Sequence, residues 1–194
     1  MSNQQIFSKI NKKIGKADNY NQDFYLLMGD IDDESIQPVI EWVITNNFPD
    51  ENGERPDIMN LLICGNGGEA GPAFALIDII QGSAVPVRTI GFGQLCSSSL
   101  MIFMSGEKGQ RVLTPNTMVL SHQYSWGSGG KEHELSAAAK GFKLSSSIIL
   151  NHYLKCSNLN EADIKKILLP ASDVWLSAKE CLKVGLCDLV QDLK

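Results

Sequence analysis

Between Asp23 and Met104 the chain repeats one pattern three times: a short apolar run, a turn of glycines or capping residues, then a helix-forming stretch. Asp23–Gly29 (DFYLLMG) precedes Asp32 or Asp33 as a helix cap, with Ile36, Val39, Ile40 and Val43 on one helical face. Ile58–Cys64 (IMNLLIC), apolar almost throughout, reads as a strand covered on both sides. GNGGEAG follows at 65–71, and then a helix with Ala73, Phe74, Ile77 and Ile80 on one stripe. Val85–Phe92 is a third strand, which Gly91 and Gly93 break before QLCSSS and the apolar helical stretch Leu100–Met104. Strand–helix alternation implies a parallel sheet with right-handed crossovers, whose site lies at the loops after the strand C-termini. GNGG and QLCSSS are both such loops, so they belong side by side.

The rest of the chain adds to this frame. Arg111–Leu113 and Met118–Ser121 read as short strands around the turn Thr114–Asn116, and His122 ends the second. YSWGSGGKEHE is a glycine-rich mobile loop before a long helix, Glu132–Lys155, with Leu135, Ala138, Ala139, Phe142, Ile149 and Leu154 as its apolar positions. Asn160 caps a short helix that Pro170 stops, Ser177 and Glu180 form a capping box, and Gly185 ends the last helix. Residues 1–22, polar and rich in lysine and asparagine, read as a loosely ordered arm with one helical turn around Ile6–Ile14; residues 23–194 read as one domain.

Composition excludes several function classes. A net charge of −5 with interspersed acids and bases argues against a nucleic-acid surface. No apolar run is long enough to span a bilayer and no signal peptide is evident, and five cysteines without a CxxC pair fit a reducing, cytoplasmic compartment. GNGGEA is a poor dinucleotide fingerprint, since Arg88 stands near where the ribose-binding acid belongs. Gly127–Glu132 (GSGGKE) is a failed P-loop, with Ser125 at the first glycine and Glu132 at the magnesium-binding hydroxyl. No HExxH or HxxxH spacing suggests a metal.

Three side-chain types remain. Serines at a strand-to-helix turn cap helices, but there they also present a nucleophile beside free amides. Ser97, Ser98 and Ser99 are equivalent on that ground. His122 is a strand-end histidine, structural or a general base, whereas His133 and His152 read as surface or helix-end residues. Cys96 reads as a small buried filler. An aspartate that orients an imidazole must sit in a fixed loop; Asp173, with Trp175 and Leu176 as anchors, qualifies, and spacing does not separate it from Asp163 or Asp188.

Four segments in order, ICGNGGEAG, GQLCSSSL, MVLSHQYSWGSGG and SDVWLSAKECLKVGLCD, resemble the family of Clp protease proteolytic subunits, over about Phe24 to Val190. The resemblance implies a ClpP/crotonase-like α/β fold, a spiral of ββα units with a protruding handle made by the long helix and a strand. It implies a serine endopeptidase with Ser97, His122 and Asp173 as its triad, and the amides of Gly68 and Ser98 as the oxyanion hole. The Gly127, Gly129 and Gly130 segment would take substrate as an added strand. The resemblance also implies heptameric rings stacked in pairs, an AAA+ unfoldase ATPase as partner, unfolded polypeptides as substrates, and no cofactor. The chain departs from the family pattern at Ser98 and Ser99, where methionine and glycine are usual, and at Tyr124, where proline is common. The arginine that usually precedes the aspartate's motif has no counterpart in LLPASD. Two other readings sit on the same scaffold, a ring subunit without catalysis and a crotonase-type acyl-CoA enzyme; neither requires a Ser–His–Asp set.

Overall fold

The structure, a computed structural model, describes residues 20, 21 and 23–193. Apart from Tyr20 and Asn21, the expected N-terminal arm and its helical turn lie outside the described residues. The elements run β1 (Tyr20–Asn21), β2 (Phe24–Ile31), α1 (Asp33–Asn46), β3 (Met59–Gly68), α2 (Ala70–Gln81), β4 (Val87–Cys96) and α3 (Ser98–Met104). There follow β5 (Arg111–Leu113), β6 (Met118–Ser121), α4 (Glu132–Cys156), α5 (Glu161–Asp163), a π-helical turn (Ile164–Leu168), β7 (Val174–Ser177), α6 (Ala178–Val184) and β8 (Leu189–Val190).

The sheet runs β1-β2-β3-β4-β5-β8, and β6 pairs with both β4 and β7. Strands β2 to β6 and β8 pair in parallel; β1 on β2 and β7 on β6 are antiparallel. The alternation of apolar strands with capped helices thus yields the mixed α/β, mostly parallel architecture it predicts. The core is built from Met59, Leu61 and Ile63 of β3, Leu95 of β4, and the facing residues of α1 and α2. Every residue of α3 is buried, its two leading serines included, and the apolar run Leu100–Met104 makes it a central helix.

Several boundaries differ from the sequence expectation. Gly91 and Gly93 do not end β4. Instead the β3–β4 register shifts between Ile63/Gly91 and Gly65/Leu95, and the strand swings to a new partner. Its first half, Thr89–Gly91, pairs with β5, while Gln94–Cys96 pairs with β6. The two short strands around Thr114–Asn116 are therefore not a hairpin; each lies parallel to a different half of β4. Val174–Ser177, expected as loop, is a strand, and Trp175 is 54% exposed rather than an anchor. His152, expected as a surface or helix-end residue, lies in the last turns of α4 but is only 6% exposed, and its Nε2 lies 2.8 Å from the Met101 carbonyl oxygen. The expected caps are present at Asp32, Asn160 and Ser177, and Gly185 ends α6 in the left-handed region.

Candidate active site

Three neighbouring strand ends carry the side chains singled out above. Ser97 follows β4, and its N–H donates to the Leu120 carbonyl of β6 at 3.0 Å. His122 follows β6. Asp173 precedes β7, and the antiparallel pair Ser121↔Val174 puts His122 and Asp173 opposite each other one step beyond the ladder. Their Nδ1–Oδ1 separation is 3.9 Å, an ion-pair distance longer than a hydrogen bond. His122 is about a quarter exposed, and Asp173 faces solvent. Among the described residues no hydrogen bond joins the Ser97 hydroxyl to the imidazole, although both line one narrow cleft of about 20 Å³. Gly68, Ser98, Met101 and Tyr153 help line the same cleft.

Backbone conformation separates the three serines. Ser97 is the one non-glycine residue among those described with positive φ, at φ 54° and ψ −123°. Such a conformation costs about 1–3 kcal/mol and persists only where the surroundings over-determine it. Here the Ser97 carbonyl accepts from Met101 N–H at 3.2 Å as α3 begins, and the Leu120 bond holds its other side. The strained turn resembles the strand-to-helix elbow that exposes a nucleophile. Ser98 and Ser99 are buried. Ser99 Oγ accepts from the Gly67 N–H at 3.2 Å, and Ser98 Oγ has no partner among the described residues.

The glycine turn fits against this elbow. A Cβ on Gly67, whose φ is +89°, would sit 2.7 Å from both the Cys96 carbonyl oxygen and Ser97 Cβ. Any side chain there would push the Ser97 turn away. Gly68 follows at φ +152° and lines the cleft. The next amide, Glu69 N–H, turns back to donate to the Ile31 carbonyl at 2.7 Å, fastening the end of the glycine turn to β2. Ser98 is the first residue of α3, and its amide has no intrahelical acceptor. The loops GNGG and QLCSSS are thus adjacent, as strand topology predicts, although GNGG is the end of β3 rather than a loop after it.

The other sequence candidates are engaged elsewhere. Asp188 is bound by Arg111, at 2.6 Å between Oδ1 and the guanidinium, and Asp163 accepts from Asn160 Nδ2 at 2.8 Å. Gly127, Gly129 and Gly130 lie in the exposed segment before α4 and do not line the cleft. That segment is nonetheless tethered, since Tyr124 and Trp126 both stack on Phe142, at 5.8 and 4.8 Å between ring centroids. Cys96 is buried and its thiol is pushed up by burial, as a filler's should be. Sequence patterning missed Tyr153. Its signal was a position four residues beyond Ile149 on the last apolar face of α4.

A serine on a strained strand-to-helix turn, with an imidazole and a carboxylate at adjacent strand ends, is the arrangement that serine peptidases use; here it rides on a mostly parallel α/β sheet. The family model described as Clp protease matches residues 16–194, and this chain belongs to that family. An ATP-dependent Clp protease proteolytic subunit of Streptococcus suis is 30% identical over 176 residues, covering 86% of this chain and 83% of that one. The protein of the same name from Deinococcus radiodurans is 29% identical over 143 residues, covering 74% and 69%. That from Streptococcus mutans is 29% identical over 168 residues.

Proposed function

We propose that this chain is a peptidase subunit that hydrolyses unfolded polypeptides and short peptides through Ser97, His122 and Asp173. His122 takes the Ser97 proton as the hydroxyl attacks the peptide carbonyl. Asp173 holds the imidazole tautomer and stabilises the cation. The amides of Gly68 and Ser98 receive the oxyanion, each worth about 3–4 kcal/mol by comparison with similar donors. The imidazolium then protonates the leaving amine, and water, deprotonated by the same imidazole, releases the acyl group. For this the 3.9 Å between His122 and Asp173 must close by about 1 Å to a hydrogen bond. No step needs a cofactor.

The observation that carries the reading is the strained backbone of Ser97 beside the strand ends that bear His122 and Asp173. The relatives' name, ATP-dependent Clp protease proteolytic subunit, supports the rest of it. Residues 23–194 act as one peptidase domain behind an N-terminal arm. The chain assembles into heptameric rings stacked in pairs, receives substrate from an AAA+ unfoldase and works in the cytoplasm. Extended substrate adds as a strand along the Gly127–Gly130 segment.

Replacing Ser97→Ala tests the central claim. The variant is expected to lose fluorophosphonate labelling and fluorogenic peptide cleavage while keeping its native mass. Labelling that persists and maps to Ser98 or Ser99 refutes the choice of nucleophile.

A further inference from the structure

The residues on either side of His122 grip consecutive carbonyls. Ser121 Oγ donates to the Leu168 carbonyl at 2.6 Å, and Gln123 Nε2 donates to that of Leu169 at 3.0 Å. Leu168 ends the π-helical turn, and only Leu169 to Ser172 separate it from Asp173. Beyond Asp173, Val174 pairs back with Ser121 across the β6–β7 ladder. The loop that bears the carboxylate is therefore fastened at both ends to the two neighbours of the imidazole.

Tyr153 completes this fastening. Its hydroxyl lies 2.8 Å from Ser121 Oγ. A serine has one proton to give, and the Leu168 carbonyl can only accept, so Ser121 donates to Leu168 and Tyr153 donates to Ser121. Ser121 is 0% and Tyr153 2% exposed, so the relay is shielded from bulk solvent. Burial pushes the phenol up to about 12, which keeps it protonated, and so a donor, at neutral pH. The same turn of α4 is also fastened to α3, the helix that follows Ser97, because neighbouring His152 contacts the carbonyl of Met101. Ile149, His152 and Tyr153 are the buried residues of that helix.

We infer that Tyr153 and Ser121 are positioning residues that fix His122 against Asp173 through the chain Tyr153 Oη–Ser121 Oγ–Leu168 O. The inference rests on the triad reading above and adds the device that holds two of its members in register. Neither residue touches the reacting atoms. Loss of the phenolic hydrogen frees the Ser121 end of β6 and lets the His122–Asp173 separation widen.

The test compares Tyr153→Phe and Ser121→Ala with Ile164→Val, a packing control at a fully buried position of the π-helical turn. Tyr153→Phe is expected to lower kcat about tenfold with KM within about twofold, and to slow fluorophosphonate acylation equally, since small misplacements of a base are costly. The ring-nitrogen NMR shifts of His122 should move in Tyr153→Phe and Ser121→Ala and not in Ile164→Val. Unchanged kcat and unchanged His122 shifts in Tyr153→Phe overturn the inference. So does a fall in kcat that tracks melting temperature equally in all three variants. If the unmodified protein neither labels nor cleaves peptide, the peptidase reading fails by itself, and the His122 shifts still decide the positioning role.

Discussion

At the scale of single residues, the nucleophile turn is held by contacts that side-chain preference alone does not foretell. Ser97 keeps a positive φ because Leu120 and Met101 fix the groups on either side of it, and because Gly67 leaves room for its Cβ. Ser99 acts one step further out, as the acceptor for the buried Gly67 amide, in the peptide before that of the Gly68 N–H. Ser99→Ala removes that acceptor while adding no bulk. It should cost about 1–3 kcal/mol, the penalty for an unpaired buried amide, measurable as a lower melting temperature. Peptide kcat should fall with it, by about tenfold, if the Gly68 amide drifts from the oxyanion position. A variant with unchanged melting and kcat would show that the Gly67 turn holds itself. The sequence narrowed the nucleophile to three serines and went no further on its own residues, because capping preference belongs to the residue type whereas a positive φ belongs to the site. The same holds for the aspartates. Asp188 and Asp163 are set apart from Asp173 by Arg111 and Asn160, partners 77 and 3 positions away, respectively, of which only the nearer is visible in local pattern.

At the scale of elements, periodicity made the parallel strands and their helices legible, since each buries an apolar face with a fixed repeat. It did not reveal β7. Val174–Ser177 covers only Val174 and Leu176, and those incompletely, and its ladder with β6 exists only once the chain has folded back. His152 was hidden for a related reason: a polar residue on an amphipathic helix reads as solvent-facing until a carbonyl such as that of Met101 is brought to meet it. The Arg111–Asp188 pair shows how the short C-terminal elements are joined to the sheet. Arg111 opens β5, Asp188 precedes β8, and the guanidinium also donates to the carbonyls of Cys156 and Gly185, at the ends of α4 and α6. Burial opposes the Asp188 charge, but the hydrogen bonds and charge of Arg111, with the Gly109 amide, outweigh it and hold the carboxyl below the usual value near 3.8. A carboxyl depressed on folding contributes stability above its unfolded value and loses it as pH falls through the folded one. Acid titration of the melting temperature should therefore drop most steeply below about pH 4. Asp188→Asn should flatten that part of the curve and lower stability at pH 7 by about 3 kcal/mol, leaving Arg111 buried and uncompensated. An acid limb as steep in the variant as in the parent would assign the transition to other carboxyls.

At the scale of the whole molecule, α4 is out of proportion to what it packs against. Its 25 residues extend about 37 Å at 1.5 Å per residue, yet its buried residues are confined to the turn Ile149–Tyr153. Towards its N-terminus Leu135 is 41% exposed, while Leu144 and Ile148, one turn apart on one face, are 58% and 48% exposed. Apolar side chains repeated along a protruding helix mark a surface made to be covered. The proposed stacking of rings supplies a cover, the same helix from an opposing subunit. Leu144→Lys with Ile148→Lys would put four cations into each such contact between two copies, and like charges in a desolvated interface disfavour it strongly. The double variant should keep the secondary structure of the parent, since neither side chain is buried within the subunit, while its native mass falls to half that of the parent as paired rings separate into single ones. An unchanged mass would place the ring contact elsewhere and leave this face of α4 to another partner. The consequence would reach the cleft, because Tyr153 and His152 sit one turn beyond Ile148 on the same helix, and the contact that steadies its protruding part also steadies the turn that holds the imidazole strand.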